Sequence, residues 1–213
     1  MTDIKKLIAS KDLAGLHRLL TERPELANVG IPYDERNLTL AHPLHRICDG
    51  VFSKSLSDDE GAAIAGVFLE HGADVNGGEL IHGRDTPLIA AASLLAEKVG
   101  LLYIDRGAAI HHAGTHGGTG LHWAAWTGQD RLVDRLIRAG ADIHKLCIDF
   151  TSTPLLWAIH GYKNQDGGNV RNQVECARLL LDAGADKYIT NKEGTRLMEF
   201  LDEEDVVLKN MLS

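Results

Sequence analysis

Four copies of one short phrase, HGAD at 71–74, RGAA at 106–109, AGAD at 139–142 and AGAD at 183–186, restrict this chain's fold more than anything else in it. Their glycines, Gly72, Gly107, Gly140 and Gly184, follow one another at intervals of 35, 33 and 44 residues. A second phrase precedes each: HPLH at 42–45, TPLI at 86–89, TGLH at 119–122 and TPLL at 153–156. From its second residue to the paired glycine run 29, 20, 20 and 30 residues. Two units are therefore regular, and two carry insertions of nine and ten residues. Two markers in fixed order at a period near 33 imply repeated supersecondary units rather than one irregular globule.

The physics of a unit is plainest in TGLHWAAWTGQDRLVDRLIRAGAD. Thr119 offers a short side-chain acceptor for a helix starting at about Gly120. Leu121, Ala124 and Ala125 share one face of that helix, and the two alanines let a neighbour approach closely. Gly128 can end it. Leu132, Val133, Leu136 and Ile137 form a second apolar stripe at helical spacing, which Gly140 closes in a left-handed conformation. Each unit is a helix-turn-helix pair that cannot bury its own stripes, so units must stack. The reading is an all-α chain of twelve helices in six pairs, with no sheet beyond short connector hairpins.

These phrases resemble the ankyrin repeat, whose pattern is a turn, TPLHxAA, a short turn, an apolar helix and GAD. The match is closest at 117–142, good at 83–107 and 151–186, and looser at 40–74. The resemblance implies a solenoid of stacked pairs in a single domain, with central repeats at 35–78, 79–111, 112–145 and 146–189. Two short helices joined near Asp12 read as an N-terminal capping repeat over 1–34. Residues 190–213 read as a truncated C-terminal cap, with Asp202, Glu203, Glu204 and Asp205 facing water. Gly120 replaces the family's proline, Ile89 and Leu156 its histidine, and Ala109 the aspartate of GAD. Both insertions, about 51–56 and 162–168, are expected between the two helices of their repeats. Ser57 and Glu60 form an S-x-x-E capping box, which predicts that the second helix there starts near Asp58.

Charge and composition exclude several function classes. Twenty-two Lys and Arg stand against 30 Asp and Glu, a net charge of −8 with no basic tract, which speaks against holding nucleic-acid phosphates. No stretch approaches the ~18 apolar residues of a membrane helix, and the opening MTDIKKLIASKDLAGLHRLL does not read as a signal peptide. Cys48, Cys147 and Cys176 form no CxxC pair, which fits free thiols in a reducing, cytoplasmic setting.

Candidate chemistry is sparse. His111, His112, His116 and His122 crowd one segment, but no cysteine joins them and their spacing matches no familiar zinc pattern. His122 is better read as the repeat histidine, which in the family braces the turn by hydrogen bonds; His45 is its counterpart. His45 and Cys48 lie one helical turn apart, yet Cys48 falls where other units carry Ala92, Ala125 or Ile159, the place of a packed thiol. No nucleophile elbow, P-loop or HExxH sequence occurs, and no cofactor or metal is expected.

The tryptophans carry the functional expectation. Trp123 and Trp157 occupy equivalent places 34 residues apart and are expected to pack between repeats. Trp126 aligns with Asp49, Ser93 and His160, a set without common apolar character, so that row is expected to face solvent. The resulting expectation is a monomeric, non-catalytic protein-binding module, an adaptor, inhibitor or immunity-type antagonist, acting through its concave groove. Its contact residues would be His116, Trp126, Thr127 and His160, with Tyr162 on the inserted loop and Asp49 in the same row. The alternative is a small-ligand or metal sensor using the connector 111–116 and the inserted loops.

Overall fold

The structure is a computed structural model that describes residues 3–33, 36–164 and 172–213. The chain divides into two compact units, one made of residues up to Leu80 together with Thr86–Ala109, the other of Ile81–Asp85 together with Ile110–Ser213.

The first unit holds α1 (Asp3–Ser10), α2 (Leu13–Glu22), α3 (Pro43–Phe52), α4 (Asp58–Glu70), α5 (Pro87–Ser93) and α6 (Glu97–Asp105). Asp12 caps α2 by accepting from Gly15 N–H at 2.8 Å, which makes it the joint between the first two helices. A two-residue antiparallel pairing, β1 (Ile31–Pro32) with β2 (Leu40–Ala41), sets Ile31 opposite Ala41 before α3 begins. The core is mostly aliphatic: Leu16, Leu20, Leu44, Ile47 and Ile64 are fully buried, together with Phe68. Tyr103 is buried among them and donates its hydroxyl to the Leu44 carbonyl at 2.8 Å. The Ser57–Glu60 capping box is formed in both directions, and α4 starts at Asp58 as expected. Asp58 has a second role, because its carboxylate accepts from the Lys98 and Val99 N–H groups. It thereby caps α6, which has no side-chain cap of its own.

The insertion before α4 is shorter and more ordered than expected. Val51 and Phe52 still belong to α3, and Leu56 folds back to 4% exposure with its N–H on the Gly50 carbonyl.

The second unit holds α7 (Gly120–Thr127), α8 (Asp130–Arg138), α9 (Pro154–Lys163), α10 (Gln173–Asp182) and α11 (Val206–Leu212). Leu121, Ala124 and Ala125 are fully buried on one face of α7, and Leu132, Val133 and Leu136 on one face of α8. Gly128, at φ 70°, ends α7 in the left-handed conformation. Here the expected twelve helices become eleven among the described residues, because the segment before α11 forms only a 3-10 turn at Leu197–Phe200. The water-facing acidic row is also incomplete: Asp205 is 7% exposed and accepts from Lys163 Nζ and the Asp202 N–H. A carboxylate that satisfies two donors at once is drawn inward despite its charge. The second insertion begins later than expected, since Tyr162 and Lys163 complete α9; residues 165–168 lie outside the described residues.

The helical phrases behave alike in both units. Gly72, Gly107, Gly140 and Gly184 take φ of 84°, 84°, 89° and 97°, the left-handed turn that ends the second helix of each pair. Among the described residues, no helix is long and apolar enough to cross a membrane.

Candidate functional site

In the second unit, α7 and α9 set their aromatic residues into equivalent rungs. Trp123 and Trp157 are 34 residues apart, as are Trp126 and His160, and as are His116 and Phe150 on the connectors before the two helices. Together they line a cavity of about 320 Å³.

Trp157 is its floor, at 5% exposure. Three rings stand nearly perpendicular to it: Trp123 at 82°, Trp126 at 72° and Phe150 at 67°, with centroids 5.0, 5.9 and 6.3 Å away. His160 stacks on Trp126 at 6.0 Å and 26°, and the Phe200 ring meets its other side at 4.8 Å. Burial holds the His160 imidazole below its ordinary pKa, so it is neutral near pH 7.

The connectors are fixed by hydrogen bonds that begin below the cavity. His122 is fully buried, and its Nδ1 accepts from the Thr119 N–H at 3.1 Å. The proton therefore sits on Nε2, which faces the Lys145 and Ser152 carbonyls at 3.1 and 3.2 Å. Burial lowers the His122 pKa to about 4, which keeps this arrangement neutral. Ser152 in turn donates its hydroxyl to the Phe150 carbonyl at 2.9 Å, so the repeat histidine sets the wall residue Phe150. On the other connector His116 takes φ 60°, uncommon for a side-chain-bearing residue. Its carbonyl accepts from Ile148 N–H at 2.9 Å and its Nδ1 pairs with Asp149 at 2.6 Å, which together hold it there.

The six expected contact residues separate. His116, Trp126 and His160 meet at this cavity. Thr127 does not present a surface: it is 6% exposed, and its hydroxyl donates to the Trp123 carbonyl at 2.8 Å. Tyr162 lies in the last turn of α9 rather than on a loop, and the Asp205 carboxylate near it raises its pKa. Asp49 belongs to the first unit, where it pairs with Arg46 at 2.5 Å; Arg46 also donates to the Ile31 and Thr39 carbonyls and so ties the β-hairpin to α3.

Trp123 also differs from expectation. It is half-buried rather than core, and it shares the cavity wall with Trp126. The equivalent position in α9 is buried because Trp157 has aromatic rings on three sides. The Nε1 of Trp123 is buried and has no hydrogen-bond partner among the described residues.

Phe150, Ser152, Leu156, Asn191 and Glu193 complete the lining and were not anticipated. For Phe150 a signal existed, since it stands one 34-residue step beyond His116. Asn191 and Glu193 come from a turn in which the Asn191 carboxamide accepts the Glu193 and Thr195 N–H groups. The Lys192 N–H joins that turn to the Phe150 carbonyl at 3.2 Å.

The arrangement has apolar walls with a few polar groups at their edge, which is how ligand sites are usually built. Among the described residues no three His, Cys, Asp or Glu side chains gather in a way that could hold a metal ion. Within the connector first considered for metal, His112 turns to the Arg84 carbonyl at 2.8 Å while His116 turns to Asp149.

The comparisons agree with the helical phrases. No curated protein matches the chain. The ankyrin repeat family model matches residues 116–147 and 152–192, the two repeats that build the cavity. Ankyrin repeats therefore occupy this part of the chain, residues 116–192.

Proposed function

We propose that the chain is a non-catalytic interaction module that binds a partner protein at the aromatic cavity of α7 and α9, with Trp126, His116 and His160 as contact residues. Ankyrin repeats generally mediate protein–protein interaction. The single observation that carries the placement is the half-buried Trp126, stacked on His160 at the edge of an apolar cavity. A rigid aromatic held ready at a desolvated site has the character of a binding hot spot.

The sequence period supports extending this reading to the whole chain as one solenoid domain, with 35–78, 79–111, 112–145 and 146–189 as central repeats and 1–34 and 190–213 as caps. A monomeric adaptor, inhibitor or immunity-type antagonist in the cytoplasm fits the acidic charge and three cysteines that form no disulfide with one another. Such a protein acts by occluding its partner, with no catalytic step and no nucleic acid.

Affinity capture from the native host tests this, with wild type and Trp126→Ala as parallel baits. The expected result is a protein retained by the wild type and lost with Trp126→Ala, while both baits melt cooperatively. Identical capture by the two would remove the site from this cavity.

A further inference from the structure

We propose that the box formed by Trp157, Trp123, Trp126 and Phe150 binds a quaternary ammonium group, carried by a trimethylated lysine side chain or by a small cation such as choline. This deepens the reading of the cavity as the interaction site and rests on it.

The geometry is that of a cation receptor. The face of an aromatic ring carries negative charge density, and a cation within about 6 Å of the centroid is attracted to it. Trp157 is flanked by Trp123, Trp126 and Phe150 at 67–82°, and all four rings line the cavity. Together with six further residues these rings line about 320 Å³ of open space.

The charges around the box favour a cation. Among the described residues no Lys or Arg lines it, and Glu193, which does, enters no ion pair. His160 is kept neutral by burial, and the carboxylate of Asp149 lies against His116 at 2.6 Å.

Hydrogen bonding selects the methylated form. A primary ammonium brings three N–H donors that must find acceptors once desolvated. The four rings offer no acceptor, which leaves a few polar groups of the lining, Ser152, Asn191 and Glu193 among them, to take those donors. A quaternary ammonium has no N–H and requires none.

The test titrates the full chain, at constant ionic strength, with choline chloride and with 3,3-dimethylbutan-1-ol, a neutral molecule of the same shape. Indole N–H resonances and tryptophan fluorescence report occupancy. Choline is expected to bind about tenfold tighter than its isostere, the scale of a desolvated cation–π contact. Trp126→Leu should weaken choline binding by about tenfold. The exposed Glu193→Gln should weaken it about threefold with no change in melting temperature, which keeps the test valid should Trp126→Leu disturb the fold. Two peptides of one sequence, with lysine or trimethyllysine, separate the sources. Preference for the trimethylated peptide assigns a modified protein, and choline binding without peptide preference assigns a free small cation. Equal binding of choline and its isostere, or no response to choline and to the trimethylated peptide at millimolar concentration, overturns the proposal. Should cations fail while Trp126→Ala still releases a captured partner, the interaction site stands and only its cationic ligand is lost.

Discussion

A Cβ atom on Gly161 would stand 2.1 Å from the carbonyl oxygen of Trp126, so α7 and α9 approach at a point where no side chain fits. The same carbonyl accepts from Gln173 Nε2 at 3.2 Å, which fixes it from α10. His160, the residue before Gly161, is thereby brought into stacking distance of Trp126. The floor and one wall of the cavity keep their spacing because this contact is backbone against glycine.

Gly161→Ala is therefore expected to destabilise the protein by roughly 3 kcal/mol, the upper end for overpacking, because the obstacle is backbone rather than a movable side chain. Urea denaturation followed by circular dichroism gives the value. A wild-type midpoint would mean that the two helices separate without cost.

The tryptophans should rank by burial rather than by position in the repeat. Trp157→Ala removes the 5%-exposed floor and should cost roughly 3–5 kcal/mol. Trp123→Ala and Trp126→Ala remove half-buried walls and should each cost about 1–2 kcal/mol. Melting curves of the three variants decide it; Trp126→Ala as damaging as Trp157→Ala would place Trp126 in the core.

Acid should destabilise the protein partly through His122, whose pKa is about 4 when folded against an ordinary 6.5. The unfolded chain binds the proton first, so this contribution is complete above about pH 6.5 and is lost as pH falls towards 4. Its full size is about 3 kcal/mol. Denaturant midpoints between pH 7 and pH 4.5 should fall less steeply in His122→Gln than in wild type, and parallel curves would assign the acid sensitivity to other groups.

All three thiols should resist labelling in the native state, because Cys48, Cys147 and Cys176 are each at most 3% exposed. Cys48 should be the slowest, since burial pushes its thiol far above the ordinary pKa and leaves almost no thiolate. A thiol-specific chromophoric reagent should count about three thiols in denaturant and close to none within minutes under native conditions. Immediate reaction of Cys48 in the folded protein would contradict its place in the core.

Helix starts, helix ends and the repeat were legible in the sequence because each is decided within a few residues. A Ser three places before Glu closes a capping box wherever it stands, as at Ser57, and a glycine after an apolar stripe adopts the left-handed turn, as at Gly140. The pairing of Trp126 with His160 was legible too, as residues in one row.

What each of those side chains touches was settled only by the tertiary structure. Trp123 and Trp157 have the same local setting, yet one is a wall and the other a floor, because burial depends on rings delivered from Phe150 and Trp126. Thr127 turns its hydroxyl inward, and Asp205 is drawn in by Lys163. Glu193 reaches the cavity through a turn 36 residues beyond Trp157. Local periodicity specifies which face of a helix is apolar, whereas exposure is set by neighbours remote along the chain. A site made of equivalent positions in successive repeats therefore exists only once those repeats have packed.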